Sequence, residues 1–371
     1  MRVTLISAAA TATLLGASVS VAQAQSSVTL YGIIDAGFTY SSNQKGQAAY
    51  QATQGNVQGS RWGLTGREDI GGGNSVTYKL EDGYSAETGA FGQGGREFGR
   101  STWVALNNNN AGSVTLGRQY NSAQDYLSNL QINGVGALSQ YANAVYDNDD
   151  LNNTYRTQNA VKYTTPTISG LTANAMYAFS NTPGQFANNR AWSAGADYVN
   201  GPLRLDAAYS LVNQPATGTA GAAPSDNYYS LSSSIISNVA RNQVFGAGGA
   251  YTIGLATIAL LYTNSTFDIL SGGALKFANY EASLRYQLTP ATLLSLGYIY
   301  TTQRANTATA GNANYNQLSI GGEYALSKRT DLYLNGIYQH ASGSNAWIEG
   351  IGNPSSNGGQ FVTVAGIRHH F

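Results

Sequence analysis

Apolar and polar residues alternate with a period of two along much of the chain. Residues 203–211 read LRLDAAYSL and residues 280–288 read YEASLRYQL, so each segment has one apolar face and one more polar face. Alternation of this kind is typical of a β-sheet whose two faces meet different environments. Glu281 and Arg285 lie on the polar face of the second segment. Because an unpaired charge is costly in a dry core, this face is predicted to be wet.

The same pattern predicts sixteen strands separated by turn or loop residues. The strands are expected near residues 28–40, 60–67, 74–86, 100–106, 113–119, 158–165, 171–180, 191–199, 203–211, 242–251, 255–264, 278–288, 292–302, 315–325, 331–341 and 360–371. Residues 228–236, YYSLSSSII, are also strand-like, and placing them in a loop leaves the count open by two.

The connections between the predicted strands alternate in length. Short turns such as Asn200-Gly201-Pro202 alternate with long polar segments such as residues 41–59 and 120–157. Barrels of the bacterial outer membrane have short turns on one side and longer loops on the other. The pattern therefore predicts an all-β fold, a closed transmembrane antiparallel β-barrel, and ~16 strands would enclose an aqueous lumen.

The two ends of the chain carry further signals. Residues 1–24 begin with Arg2, continue with small and apolar residues and end in Ala22-Gln23-Ala24, which is typical of a cleaved export signal. Residues 25–371 are then predicted to form the barrel as one domain, because closure needs every strand. The final segment, FVTVAGIRHHF, ends in Phe371 inside a predicted strand.

Composition narrows the alternatives. Only 10% of the residues are charged, whereas 26 are tyrosines, which a barrel places at the two lipid–water borders. The alternative is a soluble, tyrosine-rich β-sandwich, for which ~350 residues is long. The formal net charge of zero gives no reason to predict nucleic-acid binding, and the lack of cysteine excludes disulfides and thiolate metal sites. The sequence contains no metal-ligand cluster and no phosphate-binding loop, so no cofactor is predicted.

Five segments in order along the chain carry a family resemblance. They are SSVTLYGIIDAG (26–37), SRWGLTGREDIGGG (60–73), GSVTLGRQY (112–120), YRTQNAVKYTTPTISGL (155–171) and GIRHHF (366–371). Together they resemble the trimeric general porins of Gram-negative outer membranes, in particular the anion-preferring subgroup. The PEFGGD constriction motif of the enteric porins is absent, which leaves the charge of the constriction open.

The resemblance implies a fold, a location and a set of partners. It implies a sixteen-stranded barrel in the outer membrane, reached by export through the periplasm, with a long third loop folded into the pore. It implies a homotrimer surrounded by outer-membrane lipids and lipopolysaccharide, inserted by the barrel assembly machinery. Its activity would be passive diffusion of small hydrophilic solutes and ions, without enzymatic chemistry. Phe371, as a terminal aromatic residue, is the feature that this machinery is expected to read.

The third long loop, roughly residues 121–157, is the candidate constriction. It is too polar and irregular to face lipid, where unpaired backbone groups are costly. From the residues alone, folding into the barrel and forming an outward surface loop are equally plausible, and the resemblance favours folding inward. The loop carries four acidic residues that could face the pore: Asp125, Asp147, Asp149 and Asp150.

Basic residues on predicted strands are expected to point into the lumen. A charge on the lipid face costs ~2–4 kcal/mol at the membrane midplane. Parity places Arg61 opposite Trp62, Arg100 on the face of Thr102, and Arg156 on the face of Lys162. The resemblance implies that Arg61, Arg100 and Arg156 form a positive ladder facing the third loop. Lys162 is a further candidate for the constriction, nearer the periplasmic end. The alternative is a set of separate, solvated wall residues.

Four further residues and three other functions complete the sequence-based picture. Arg118 shares the parity of Val114 and Leu116, so it is expected to point outward and to form a possible subunit contact. A substrate-specific sugar channel would need lumen-facing aromatic residues, for which the candidates are Tyr31, Tyr141 and Tyr146. An outer-membrane hydrolase and an adhesin barrel are the weaker alternatives.

Overall fold

The computed structural model describes residues 27–136, 138–152, 154–215, 221–223, 238–307 and 310–371. These residues form seventeen strands, two α-helices and two short 3-10 turns at residues 140–142 and 145–147. The strands are β1 (Ser27–Gln44), β2 (Gln47–Gln54), β3 (Arg61–Gly71), β4 (Asn74–Gly83), β5 (Ser101–Asn108), β6 (Gly112–Gln119), β7 (Thr157–Thr164), β8 (Leu171–Ala178), β9 (Ala191–Asn200), β10 (Leu203–Asn213), β11 (Val239–Ile253), β12 (Ala256–Ile269), β13 (Ala274–Thr289), β14 (Thr292–Ala305), β15 (Ala313–Ala325), β16 (Thr330–Ser342) and β17 (Gly359–His370). The helices are α1 (Ser122–Leu127) and α2 (Ile132–Val135). The predicted export signal and residues 228–236 lie outside the described residues.

The strands form one closed antiparallel sheet. β1 pairs with β17 through residues 33–41 and 362–370, which closes the ring. The other edge of β1 pairs with two strands in turn, β3 along residues 27–33 and β2 along residues 36–44. Since β2 and β3 lie end to end, they occupy one position in the wall. The fold is therefore a barrel of sixteen strand positions, as the sequence predicts.

The hairpin between β1 and β2 differs from the sequence-based expectation. Residues 41–59 were predicted to be a loop, but β1 continues to Gln44 and pairs with β2 across a two-residue turn. Lys45 and Gly46 in this turn have positive φ angles of 54° and 92°. Two-residue hairpins favour such turns because their twist matches that of the strands. The segment was missed because its sequence, QAAYQATQ, lacks the apolar alternation of a strand that faces lipid.

The two faces of the wall have opposite character. On β10, Leu205 is 46% exposed and Asp206 is 3% exposed; on β15, Ile320 is 62% exposed and Ser319 is fully buried. Apolar side chains thus point outward from the barrel, and polar side chains point into an interior that is largely filled. This arrangement confirms the period-two interpretation of the sequence. No helix in the described part of the chain is long and apolar enough to cross a membrane.

The third long loop, residues 120–156, fills much of this interior. It begins with α1, whose N-cap Asn121 accepts a hydrogen bond from the backbone N–H of Gln124 at 2.9 Å. Helix α1 contacts β8 to β11, and α2 contacts β12 and β13. The loop therefore folds into the barrel, as the resemblance implies, and its apolar residues are buried against the inner wall.

Four glycines on the inner wall make room for the loop, and together they are called the glycine seat. They are Gly195 on β9, Gly246 and Gly248 on β11, and Gly297 on β14. A Cβ atom added at Gly246 or Gly248 would lie 2.8 Å from Leu127 Cδ1 or 2.9 Å from Leu130 Cδ1. At Gly195 it would lie 2.7 Å from Tyr126 Cδ2, and at Gly297 it would overlap Ile132 Cδ1. The loop can lie this close to the wall because these positions carry no side chain.

An aromatic contact holds the far part of the loop. The ring centroid of Tyr146 lies 5.5 Å from that of Trp347, 6.1 Å from Phe277 and 6.2 Å from Tyr315, all edge-on. Trp347 belongs to the last long loop, residues 343–358, while the other two partners lie on β13 and β15. Edge-to-face pairs of this kind each contribute ~0.5–1.5 kcal/mol beyond their buried area. They tie the third loop to both the wall and a second loop.

Candidate pore constriction

A water-accessible channel of about 750 Å³ remains between the third loop and the opposite wall. Five arginines line it: Arg61, Arg100, Arg156, Arg285 and Arg368. Among the described residues, the lining contains one carboxylate, that of Glu323. From the loop side, the channel meets Ser128, Asn129, Asn133, Gly134, Val135, Gly136, Asn152 and Thr154. The charged wall therefore faces a neutral surface of amides, hydroxyls and backbone.

Arg100 is held in place by Glu81 and by close packing of its stem. Its Nε donates to Glu81 Oε1 at 3.0 Å, and its backbone N–H donates to the carbonyl of Glu81 at 3.0 Å. Gly83 leaves room for its stem, since a Cβ atom there would lie 3.0 Å from Arg100 Cδ. The side chain is 5% exposed. The packed stem and the charge-assisted bond fix the guanidinium at the channel edge.

The strand parity assumed for Arg100 is wrong. Thr102 is exposed on the outer face together with Val104 and Leu106, not on the lumen side. Arg100 precedes β5, so the alternation of that strand does not set its direction. Its side chain reaches the channel because Glu81 draws the guanidinium inward.

Arg156 and Arg61 extend the basic surface on either side of Arg100. Arg156 donates to the carbonyl of Thr154 at 3.1 Å and to the hydroxyl of Tyr120 at 3.0 Å. Its guanidinium lies over the ring of Tyr120, 5.2 Å from the centroid. Arg61 donates from Nε to the carbonyl of Gly59 at 2.8 Å. The structure thus brings together the three arginines that the sequence grouped.

Glu81 is the buried carboxylate beneath this basic surface. Its two oxygens accept bonds from Arg100 Nε at 3.0 Å, Lys79 Nζ at 2.9 Å and the Tyr31 hydroxyl at 2.8 Å. The side chain is only 3% exposed. Sequence reasoning did not single out Glu81. Its position on β4, on the same face as Lys79, was a signal that could have identified it as a partner for basic residues inside the barrel.

Asp125 and Lys162 lie at the base of the third loop, away from the channel lining. Lys162 Nζ contacts Asp125 Oδ2 at 2.6 Å, and Asn174 donates to the same oxygen at 2.9 Å. Lys162 also donates to the carbonyl of Tyr120 at 3.1 Å. The ion pair cancels both charges locally. This placement differs from the expectation that both residues belong to the constriction.

The remaining three acids of the loop are turned away from the channel. Asp147 and Asp149 are fully buried, and Asp150 is 2% exposed. Asp149 Oδ2 accepts from Thr263 Oγ1 at 2.6 Å and from Asn279 Nδ2 at 3.1 Å. These bonds join the back of the loop to β12 and β13. The three acids therefore do not reach the channel surface, where the sequence analysis expected them.

Hydrogen bonds within the loop hold the other two acids. Asp150 Oδ2 accepts from Asn121 Nδ2 at 2.9 Å, and Asp147 accepts from the backbone N–H of Asn152 at 2.9 Å and from Thr154 Oγ1. Burial raises the pKa of Asp147 and Asp150 well above its ordinary value, and repulsion between neighbouring carboxylates adds to the rise. The neutral acid is thereby favoured, which lowers the cost of burial.

Arg285, Arg368 and Glu323 form a second charged group on the channel that the sequence analysis did not assign. Arg368 contacts Glu323 Oε1 at 3.0 Å and Asp331 Oδ1 at 3.1 Å. Arg285 lies on β13 and is exposed to the lumen. The sequence placed Arg285 on the polar face of its strand. Its closeness to Arg368 could not be predicted, because it depends on how the barrel closes.

Arg118 is occupied within its own chain. Its Nε donates to the carbonyl of Gly99 at 2.7 Å, and Nη1 donates to Gln158 Oε1 at 3.4 Å. Only 8% of the residue is exposed. The strand register shifts next to it, and Gly117 has a φ of +130°. The guanidinium of Arg118 is therefore not free to form the outward subunit contact that the sequence predicted.

Phe371 lies at the seam where the barrel closes. Its backbone N–H and carbonyl pair with Gly32 at 3.1 Å in both directions. Its ring lies over Gly32, where an added Cβ atom would overlap it. The side chain is 42% exposed. The terminal residue thus completes the β1–β17 pairing in addition to presenting an aromatic ring.

The aromatic candidates for a sugar channel do not line the pore. Tyr141 of the third loop is 3% exposed and packs against the inner wall, Tyr146 is held by the aromatic contact, and Tyr31 bonds to Glu81. None of the described residues that line the channel is aromatic. The surface needed for stacking sugar rings is therefore not built here.

A closed sixteen-position barrel with an apolar exterior, a hydrated channel and an inserted loop defines a pore-forming outer-membrane protein. The chain belongs to the Gram-negative porin family, whose model matches residues 8–345. It is an outer-membrane channel for passive diffusion of small hydrophilic solutes and ions rather than an enzyme. Membership of this family does not support the alternatives of a hydrolase, an adhesin barrel or a soluble β-sandwich.

Relatives in sequence and structure agree with this assignment. An outer membrane porin of Bordetella pertussis is 31% identical, with 91% of this chain and 94% of the relative covered. Outer membrane porin protein 32 of Delftia acidovorans is 29% identical over 94% and 95%. An anion-selective porin from Comamonas acidovorans has a TM-score of 0.76 at 24% identity, with 94% of this chain and all of that chain covered. OmpT of Vibrio cholerae in its trimer form has a TM-score of 0.68 at 16% identity, covering 93% and 99%.

Proposed function

We propose that this porin favours anions over cations, moderately and not exclusively. The observation that carries the proposal is the charge of the described channel lining, five arginines against one carboxylate, with three acids of the third loop buried behind it and Asp125 paired with Lys162. Arg61, Arg100 and Arg156 would form the constriction together with the neutral loop surface. The anion selectivity named for the Comamonas acidovorans structure supports the same direction.

The physical basis is a fixed field in a narrow passage. Arginine keeps its charge at every working pH. Low-dielectric walls focus the field of the three guanidiniums and raise the local anion concentration. Salt screens charges beyond ~10 Å at 0.1 M, so residues at the narrowest point outweigh those on distant loops. Passage requires weak binding, so no tight site is needed.

The test is the reversal potential of single channels in a planar bilayer under a potassium chloride gradient. The sign should correspond to preferential chloride flow. Arg241→Ala is the control variant. The Arg241 side chain is 48% exposed and pairs with Asp268 at the outer side of the barrel, so its removal should leave the reversal potential unchanged. A wild-type channel that passes potassium in preference to chloride would overturn the proposal.

We also propose that the protein is a homotrimer in outer-membrane lipid and lipopolysaccharide. The trimer form of a protein with the same fold supports this, as does the apolar outer face of the barrel. Arg118 plays no part in the proposal, because its guanidinium bonds to Gly99 of its own chain. Crosslinking in native membranes should give trimers, and monomers alone would contradict it.

Phe371 is proposed to support insertion by the outer-membrane assembly machinery. Its terminal position and its ring on Gly32 support two separable contributions, recognition and closure of the seam. Phe371→Ser removes both contributions and should leave the protein in the periplasm. Gly32→Val displaces the ring while the terminal phenylalanine remains. Normal outer-membrane yield of the Phe371 variant would refute the role, and normal yield of the Gly32 variant alone would assign it to recognition.

A further inference from the structure

Tyr120 occupies an unusual position among the charges of the constriction. Its hydroxyl accepts one hydrogen bond from Arg100 Nη2 at 3.3 Å and another from Arg156 Nη2 at 3.0 Å. Both bonds to the described residues come from cationic donors, so neither takes up the proton of the phenol. Hydrogen bonds to the charged form of a group stabilise that form. The surroundings of Tyr120 therefore favour the phenolate.

Tyr31 provides the opposite case in the same network. Its hydroxyl donates to Glu81 Oε2 at 2.8 Å, and the carboxylate holds the phenol proton in place. Tyr120 and Tyr31 thus lie on either side of Arg100, one next to cations and one next to an anion. The two phenols are expected to respond differently to alkaline pH.

The charged groups around Tyr120 come from several elements. Arg61 begins β3, Glu81 lies on β4, Arg100 precedes β5 and Arg156 precedes β7. Lys162 on β7 contacts the Tyr120 carbonyl and is paired with Asp125 of α1. Burial alone would raise the pKa of Tyr120, but the charges of Arg100, Arg156 and Arg61 outweigh burial and bring that pKa below its ordinary value.

We propose that Tyr120 is a specificity-determining residue of the channel: its hydroxyl positions the guanidiniums of Arg100 and Arg156, and its phenolate cancels one unit of their positive charge. The inference rests on the proposed anion preference and adds a pH dependence to it. The reaction is a simple ionisation, in which the phenol proton passes to water or hydroxide in the lumen.

The test compares reversal potentials in one salt gradient at about pH 7 and about pH 9.5, a range just below the ordinary tyrosine pKa of ~10. In the wild type, the anion-to-cation permeability ratio should fall by at least about fivefold, because one unit charge at ~4 Å in water changes the anion contribution alone by that factor. Tyr120→Phe keeps the ring but has no proton to lose, so its ratio should stay constant between the two pH values. Tyr163→Phe changes an outward tyrosine and should show the wild-type fall.

The outcomes separate the two proposals. Cation preference of the wild type at pH 7 would refute the anion proposal itself. Anion preference at pH 7 with an equal fall in the wild type and in Tyr120→Phe would overturn the role of Tyr120 alone. An ultraviolet difference titration between these two proteins gives a second readout. It should reveal one phenol that ionises before the bulk of the tyrosines, and its absence would contradict the inference.

Discussion

The two sides of the inner barrel wall narrow the same channel in opposite ways. On the side of β3 to β7, large arginine side chains extend from the wall and carry charge into the lumen. On the side of β9 to β14, the wall lacks side chains at the glycine seat, and the third loop fills the space with its own residues. The β3 to β7 side supplies three of the five channel arginines, and the β9 to β14 side supplies the surface on which the loop packs.

This difference explains why a nearly neutral chain can have a charged pore. The loop presents amides and backbone to the channel and keeps three acids at its back, two of which accept hydrogen bonds from Thr263, Asn279 and Asn121. The field of the wall arginines is therefore not opposed across the channel. Changes on the loop side should alter pore size, whereas changes on the wall side should alter selectivity.

The largest effect is expected from Gly297→Val, which fills the seat of Ile132. Overpacking of this kind costs ~1–3 kcal/mol and should push α2, whose residues line the channel, away from the wall and into the lumen. Single-channel conductance should fall, because the displaced helix narrows the passage. Adding Ile132→Ala removes the overlap and should restore the wild-type conductance.

Gly336→Val is the matched control for this experiment. Gly336 is also a mid-strand glycine, but the nearest atom to an added Cβ is Phe361 Cε2 at 3.7 Å. Its conductance should equal that of the wild type. If Gly297→Val conducts like Gly336→Val, the loop is not held by the glycine seat.

The second prediction concerns the arginine wall. Arg100→Ala together with Arg156→Ala should shift the reversal potential toward cations and leave trimer assembly intact. Each lost charge removes about 1 kcal/mol of attraction for an anion at ~4 Å in water. Unchanged selectivity in an assembled double variant would mean that these arginines do not line the constriction.

The strands were predictable because lipid and water impose a period of two on every segment that crosses the membrane. The inward direction of Arg61 was predictable because a charge cannot face lipid cheaply, whereas Arg100 precedes β5 and strand parity did not set its direction. The glycine seat was not, since Gly297 gains its meaning only from Ile132, a residue on a distant loop. The orientation of Asp149 was hidden for the same reason, because Thr263 lies 114 residues away.

The third prediction is a small pH effect on stability from the back of the loop. The raised pKa of Asp147 means that the folded protein binds its proton more tightly than the unfolded chain does. This contribution is fully present below the ordinary aspartate pKa of ~4 and is lost as pH rises through the folded value. Thermal unfolding of Asp147→Asn should therefore vary less between about pH 5 and about pH 9 than that of the wild type. An identical pH dependence in both proteins would contradict it.

The reversal potential of the variant Asp149→Asn/Asp150→Asn tests the central claim most directly. The substitutions keep the shape of the side chains and the acceptor oxygens used by Thr263, Asn279 and Asn121. If the loop acids are screened behind the loop, the variant should have the same anion-to-cation permeability ratio as the wild type. A clear increase in anion preference would show that these carboxylates act on the channel, and would contradict the division between a charged wall and a neutral loop.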